Sequence, residues 1–95
     1  MAYNFNSVTV LVVDDNIPML QITKSLLLTF GVGNVLTAKD GEAAFELFQR
    51  YDPDLIITDW MMRPMDGIAL AKKIRRDKTA KNPYVPIILM TGFSE

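Results

Sequence analysis

Four residues stand where apolar runs stop. Asp14 and Asp15 end the β-branched run Val8-Thr9-Val10-Leu11-Val12-Val13, Asp59 ends Leu55-Ile56-Ile57-Thr58, and Thr91 ends Pro86-Ile87-Ile88-Leu89-Met90. If those runs are neighbouring parallel strands, three carboxylates and a hydroxyl meet on one rim, because ligand sites of open α/β sheets lie beyond the carboxyl ends of the strands. Three carboxylates brought together repel, and some must take up a proton unless a cation intervenes. A hard divalent ion relieves this, and Mg²⁺ suits a small oxygen donor set that leaves room for water and a phosphoryl oxygen. The plainer alternative is that Asp14 and Asp15 cap a helix and that Asp59 is an ordinary turn residue. The convergence of all three on one edge favours a site.

The rest of the composition narrows the chemistry. The chain has no Cys and no His. Disulfides, thiolate zinc sites, a cysteine nucleophile and any Ser-His-Asp triad are therefore excluded. Eight of the eleven acidic residues are Asp, which points to caps, turns or oxygen-ligand sites over solvated helix faces. A formal charge of −1 sets up no field for nucleic acid or an anionic membrane. The Met1–Ser7 start lacks the basic and apolar regions of a signal peptide, and no apolar run approaches the roughly 20 residues of a membrane span. A soluble cytoplasmic protein is the expectation. Ninety-five residues make one domain, residues 1–95, with no room for a second core.

The elements that must position the rim can be read between these stops. Val8–Val13 is unbroken and apolar, as expected of a strand buried on both faces. Asp15 or Asn16 caps a helix that admits Pro18 in its first turn, turns Leu20, Thr23, Leu27 and Phe30 to one face, and stops at Gly31. Val35–Ala38 is a second strand. Asp40 caps a helix with Ala44, Leu47, Phe48 and Tyr51 inward, closed by Pro53. Leu55–Asp59 is a third strand, and a loop from Trp60 to Asp66 leads to a helix opened by Gly67, with Ile68, Leu70, Ala71 and Ile74 facing inward. Residues 77–84 are a loop, and residues 86–91 a fourth strand. The order β-α-β-α-β-α-β with right-handed crossovers gives a doubly wound parallel α/β sheet carrying three helices.

The blocks Val8–Asp15, Asp59–Gly67 and Ile87–Gly92 resemble those of a response regulator receiver domain, the chemotaxis-regulator-like module of two-component signalling. The resemblance covers residues 8–95 and implies the flavodoxin-like strand order 2-1-3-4. It makes Asp59 the phosphoacceptor, taking a phosphoryl group from the phosphohistidine of a histidine kinase or histidine phosphotransfer protein. Asp14 and Asp15 would hold Mg²⁺ together with Asp59 and the backbone carbonyl of Met61. Thr91 would contact a phosphoryl oxygen and act as the switch residue, and Gly92 would leave space beside it. The donor His belongs to the partner, so its absence here fits. Such a protein is no enzyme in the ordinary sense, since it assists only its own phosphorylation and dephosphorylation. Output passes to a downstream protein target through altered contacts. Asp66 and Gly67 shape the loop and cap the third helix, Met62 and Met65 pack beneath the loop, and Lys72, Lys73, Arg75 and Arg76 pair with a helix dipole on a solvated face.

Two departures from the family pattern stand out. Arg63 and Pro64 occupy the places where the family has Pro and a following residue, which sets a cation near the rim. The family's fifth βα unit, with its phosphoryl-contacting Lys, has no counterpart in these residues. A receiver-like module that binds partners but switches poorly is therefore the competing reading. A phosphohydrolase of the haloacid-dehalogenase type ranks below it, because Met61 stands where that class needs a second Asp. The apolar fourth strand at a sheet edge, or an uncovered helical face, leads to the expectation of a homodimer.

Overall fold

The computed structural model describes residues 4–91. Its elements are β1 Thr9–Val13, α1 Ile17–Thr29, β2 Asn34–Ala38, α2 Gly41–Tyr51, β3 Leu55–Asp59, α3 Gly67–Arg75 and β4 Ile87–Met90. The four strands form one parallel sheet in the order β2-β1-β3-β4. This is the doubly wound arrangement expected from the sequence, and β3 has the expected bounds. The first strand starts one residue later than its apolar run, the second one residue earlier, and the fourth is trimmed at both ends.

Side chains of β1 alternate between two cores because the strand is covered on both faces. Leu11 and Val13 join Ile56, Phe48, Leu70 and Ile74 beneath α2 and α3, whereas Val10 and Val12 join Leu20 beneath α1. The α2–α3 side is the larger core. Phe45 and Phe48 meet there with ring centroids 6.0 Å apart, and the Lys73 ammonium lies 4.5 Å from the centroid of Phe45.

Helix ends follow local chemistry. The Asp40 carboxylate accepts from the Ala43 N–H at 2.8 Å, which fixes the start of α2. We expect Asp40→Ala to lower stability by about 1 kcal/mol, read as a fall of about 4–8 °C in Tm for a domain of this size. At the other end Asp52 takes a left-handed conformation (φ 48°), one that Asp tolerates better than most residues, and Pro53 then prevents continuation. Gly31 ends α1's approach to β2 with φ 95°.

Periodicity misplaced several side chains. Phe30 is the C-cap of α1 and is 73% exposed, Tyr51 at the last turn of α2 is exposed, and Ile68 at the first turn of α3 points outward. Each sits at a helix end, where the helix has already left the sheet. Leu70 and Ile74 carry α3's buried face, with Ala71 half-buried beside them. Nor are all four basic residues of α3's end simply solvated. Arg75 donates through Nη1 to the carbonyls of Pro83 and Val85, both at 2.8 Å, and Lys73 covers Phe45.

Candidate functional site

Parallel register brings the rim together. Val13 pairs with Thr58, so the residues that follow, Asp14 and Asp59, emerge side by side, and Asp59 itself pairs with Met90. The Asp14 N–H donates to the Ala38 carbonyl at 3.1 Å and the Trp60 N–H to the Met90 carbonyl at 2.9 Å, tying each strand end to its neighbour. One carboxylate oxygen from each of Asp14, Asp15 and Asp59 lies within 4.8 Å of the other two. Asp14 is buried, Asp59 half-buried and Asp15 exposed.

The helix cap that could have explained the acidic pair falls elsewhere. Asn16 caps α1 by accepting from the Met19 N–H at 3.1 Å, and the Asp14 carboxylate accepts from the Asn16 N–H at 2.9 Å. Asp15 is left with no hydrogen bond or ion pair among the described residues. Burial is the main cause that raises the Asp14 carboxyl above its ordinary range. The Asn16 N–H works against it, and the charges of Asp59 and Asp15 add to it. An all-oxygen cluster held at mutual repulsion fits a Mg²⁺ site, since a hard cation would neutralise it with the ligands it prefers.

Two openings flank the cluster. A cleft of about 230 Å³ is lined by Asp14, Asn16, Met19, Asp59, Met90 and Thr91, so the structure places the hydroxyl of the fourth strand end in the same cleft as Asp59. A wider one of about 470 Å³ is lined by Asp15, Trp60, Met61, Met62, Arg63 and Asp66. Met61 and Arg63 are thus brought to the Asp15 side and Thr91 to the Asp14 side. Gly92 lies outside the described residues. Asn16 and Met19 are cleft residues that the strand-end reading passed over. The Asn-x-x-Met spacing of a cap and its partner N–H was the signal that could have found them.

The loop after Asp59 is pinned closely. The Asp66 carboxylate caps α3 through the Ala69 N–H at 2.8 Å, and the Gly67 N–H donates to the Trp60 carbonyl at 2.8 Å. A Cβ on Gly67 would fall 2.5 Å from the Asp59 carbonyl oxygen, so only glycine permits this approach. Met62 is buried in the core, and Met65 packs with its sulfur over Gly41.

A doubly wound sheet with an acidic cluster at its strand ends defines a receiver-type signalling module, and the comparisons with known proteins agree on the class. The model of the response regulator receiver domain family matches residues 10–95, and the chain belongs to that family. It is 39% identical over 83 residues to the chemotaxis protein CheY-3 of Vibrio cholerae, covering 87% of this chain and 62% of the relative. With the chemotaxis protein CheY1 of Helicobacter pylori it shares 43% identity over 82 residues, 85% of this chain and 64% of the relative. The chain therefore spans less than two thirds of the length of these relatives. Among solved structures, the chemotaxis response regulator CheY4 of Vibrio cholerae superposes with a TM-score of 0.81 at 32% identity, covering 93% of this chain and 71% of that one. The N-terminal domain of a response regulator receiver protein from Methanoculleus marisnigri gives 0.81 at 31% identity, covering 92% and 68%. Receiver domains are signalling domains of two-component systems. Among the described residues, no helix is long and apolar enough to cross a membrane.

Proposed function

We propose that the chain accepts a phosphoryl group on Asp59 in a Mg²⁺-dependent transfer from a phosphohistidine, and that phosphorylation changes the surface it offers to a downstream protein. The observation that carries this reading is the meeting of three carboxylates at the strand ends with no ion pair among the described residues to balance them. In the transfer an Asp59 oxygen attacks phosphorus in line. A new P–O bond forms, the P–N bond to the partner's imidazole breaks, and that nitrogen keeps the bonding pair. Bound Mg²⁺ supplies positive charge to the phosphoryl oxygens. Asp14, Asp15, Asp59 and the Met61 carbonyl are its proposed ligands, and Thr91 is the proposed hydrogen-bond donor to the phosphoryl group and switch residue. The donor is a histidine kinase or histidine phosphotransfer protein, and the setting is the cytoplasm.

Incubation with Mg²⁺ and acetyl phosphate or phosphoramidate should add the mass of one phosphoryl group, and chelation of Mg²⁺ should abolish the adduct. A chain that binds Mg²⁺ yet never gains that mass would overturn the reading.

Association of two copies belongs to the same proposal. Ile88 and Leu89 are exposed on β4, one of the two edge strands of the described sheet, and α1 exposes Ile22 and Leu26. Such apolar surface favours pairing with a second copy. Light scattering on a size-exclusion column should show a dimer that dissociates on dilution, and a monomer at every concentration would count against it.

A further inference from the structure

With neither Cys nor His in the chain, the methionine thioethers are its only divalent sulfurs. Four of them surround the carboxylate cluster. Met19 and Met90 line the cleft that holds Asp14, Asp59 and Thr91, and Met61 and Met62 line the opening on the Asp15 side. Their access to solvent differs widely. Met62 is 5% exposed, Met90 and Met65 are half-buried, Met19 is 42% exposed and Met61 is 75% exposed. An exposed methionine is ordinary in itself. Met61 differs in its position, two residues after Asp59 and in the wall that Asp15 shares, with an apolar side chain where a polar one would meet water more comfortably.

We propose that Met61 is a site of oxidative modification by a peroxide, and that its sulfoxide shortens the life of a phosphoryl group on Asp59. The second clause rests on the receiver reading given above. In the modification a sulfur lone pair attacks one oxygen of hydrogen peroxide. The S–O bond forms as the O–O bond breaks, the departing hydroxide takes the proton from the transferred oxygen, and water is released. Sulfur loses two electrons, the peroxide gains them, and one oxygen atom remains on Met61. The product replaces an apolar wall with a strongly dipolar acceptor. Met61 shares its opening with Asp15, whose carboxylate oxygen lies within 4.8 Å of one on Asp59. An acceptor there can hold a water molecule one carboxylate away from the acyl phosphate, whose hydrolysis needs a water to attack phosphorus. Met62, enclosed by core residues, is shielded from the same reaction.

The test is graded hydrogen peroxide on the full chain, followed by peptide mass mapping with fragment spectra that separate Met61 from Trp60. Met61 should gain oxygen first and Met19 next, with Met62 the slowest of the three, as exposure dictates. After removal of the phosphodonor, the treated protein should lose its phosphoryl group about three- to tenfold faster than the untreated one, the range one added hydrogen bond spans. Met61→Leu, compared with itself before and after treatment, should show no such acceleration, whereas Met19→Leu should show it in full. Methionine sulfoxide reductases should restore the original decay. Oxidation of Met62 or Met90 ahead of Met61 overturns the site. Equal decay before and after oxidation, or equal acceleration in Met61→Leu, overturns the effect. A chain that takes up no phosphoryl group before treatment overturns the receiver reading and the effect with it, while the order of oxidation still decides the site by mass alone.

Discussion

Asp59→Asn should reduce phosphoryl uptake from small donors to background, a loss on the order of 10⁴-fold or more, as expected when the proposed nucleophile itself is removed. The amide oxygen is a poor nucleophile and cannot form a stable acyl phosphate, so no neighbouring group compensates within the same geometry. The substitution is nearly isosteric, and Asp59 is only half-buried at the end of β3, so the fold should persist. Circular dichroism and intact mass on the same sample separate the two outcomes. Uptake that survives in a folded Asp59→Asn variant would place the acceptor on another residue, with Asp14 and Asp15 the first to examine because their oxygens share the cluster.

Asp14→Asn should have two large effects of opposite sign. The Asp14 carboxyl titrates above its ordinary value in the fold, chiefly through burial and further through the charges of Asp59 and Asp15. A folded value above the unfolded one means that the native state holds the proton more tightly. The resulting stabilisation is fully present below the ordinary carboxylate range and is lost as pH rises through the raised folded value. At neutral pH the metal-free protein therefore keeps a buried, repelled charge. An Asn at this position can still accept from the Asn16 N–H, now without that charge. Metal-free Asp14→Asn should melt several degrees above the parent at pH 7, and the difference should shrink on acidification as the parent's Asp14 takes up its proton. Mg²⁺ should reverse the ranking. The parent should gain stability from the ion, whereas the variant should bind it at least about 10–100-fold more weakly, since even residues that only support a ligand cost that much. Trp60, which lines the opening beside Asp15, offers a fluorescence signal for the titration. An unchanged Mg²⁺ affinity would remove Asp14 from the proposed ligands.

The strand ends were legible because two signals coincide there. Apolar β-branched runs stop at a carboxylate, and parallel pairing then leaves little freedom in where those carboxylates go. Val13 opposite Thr58 is enough to set Asp14 beside Asp59. Caps were legible for a similar reason, since Asp40 and Asp66 each stand three residues before the N–H they accept from. Between Asp15 and Asn16 local sequence offered no decision. Asn16 takes the cap because Asp14 turns back to its N–H and holds it in place. Helix faces were read less well at their ends. The 3.6-residue period gives the angle of Phe30, Tyr51 and Ile68 about their axes, but not whether the sheet extends far enough to cover them. The difference between Met61 and its neighbour Met62, one exposed and one in the core, was also beyond a pattern reading, because a loop has no period.

Helix α3 is fastened at both ends. Its first residue, Gly67, is pressed against the Asp59 carbonyl and bonded to Trp60, and its last, Arg75, grips the carbonyls of Pro83 and Val85 just before β4. Nine helical residues span about 13 Å, so the helix is a strut between the carboxylate rim and the opposite end of the sheet. A shift that starts at Asp59 and moves Gly67 would pull on the Arg75 bonds and through them on the chain entering β4. A load arising at the rim would thereby reach a surface that no ligand at the rim can touch.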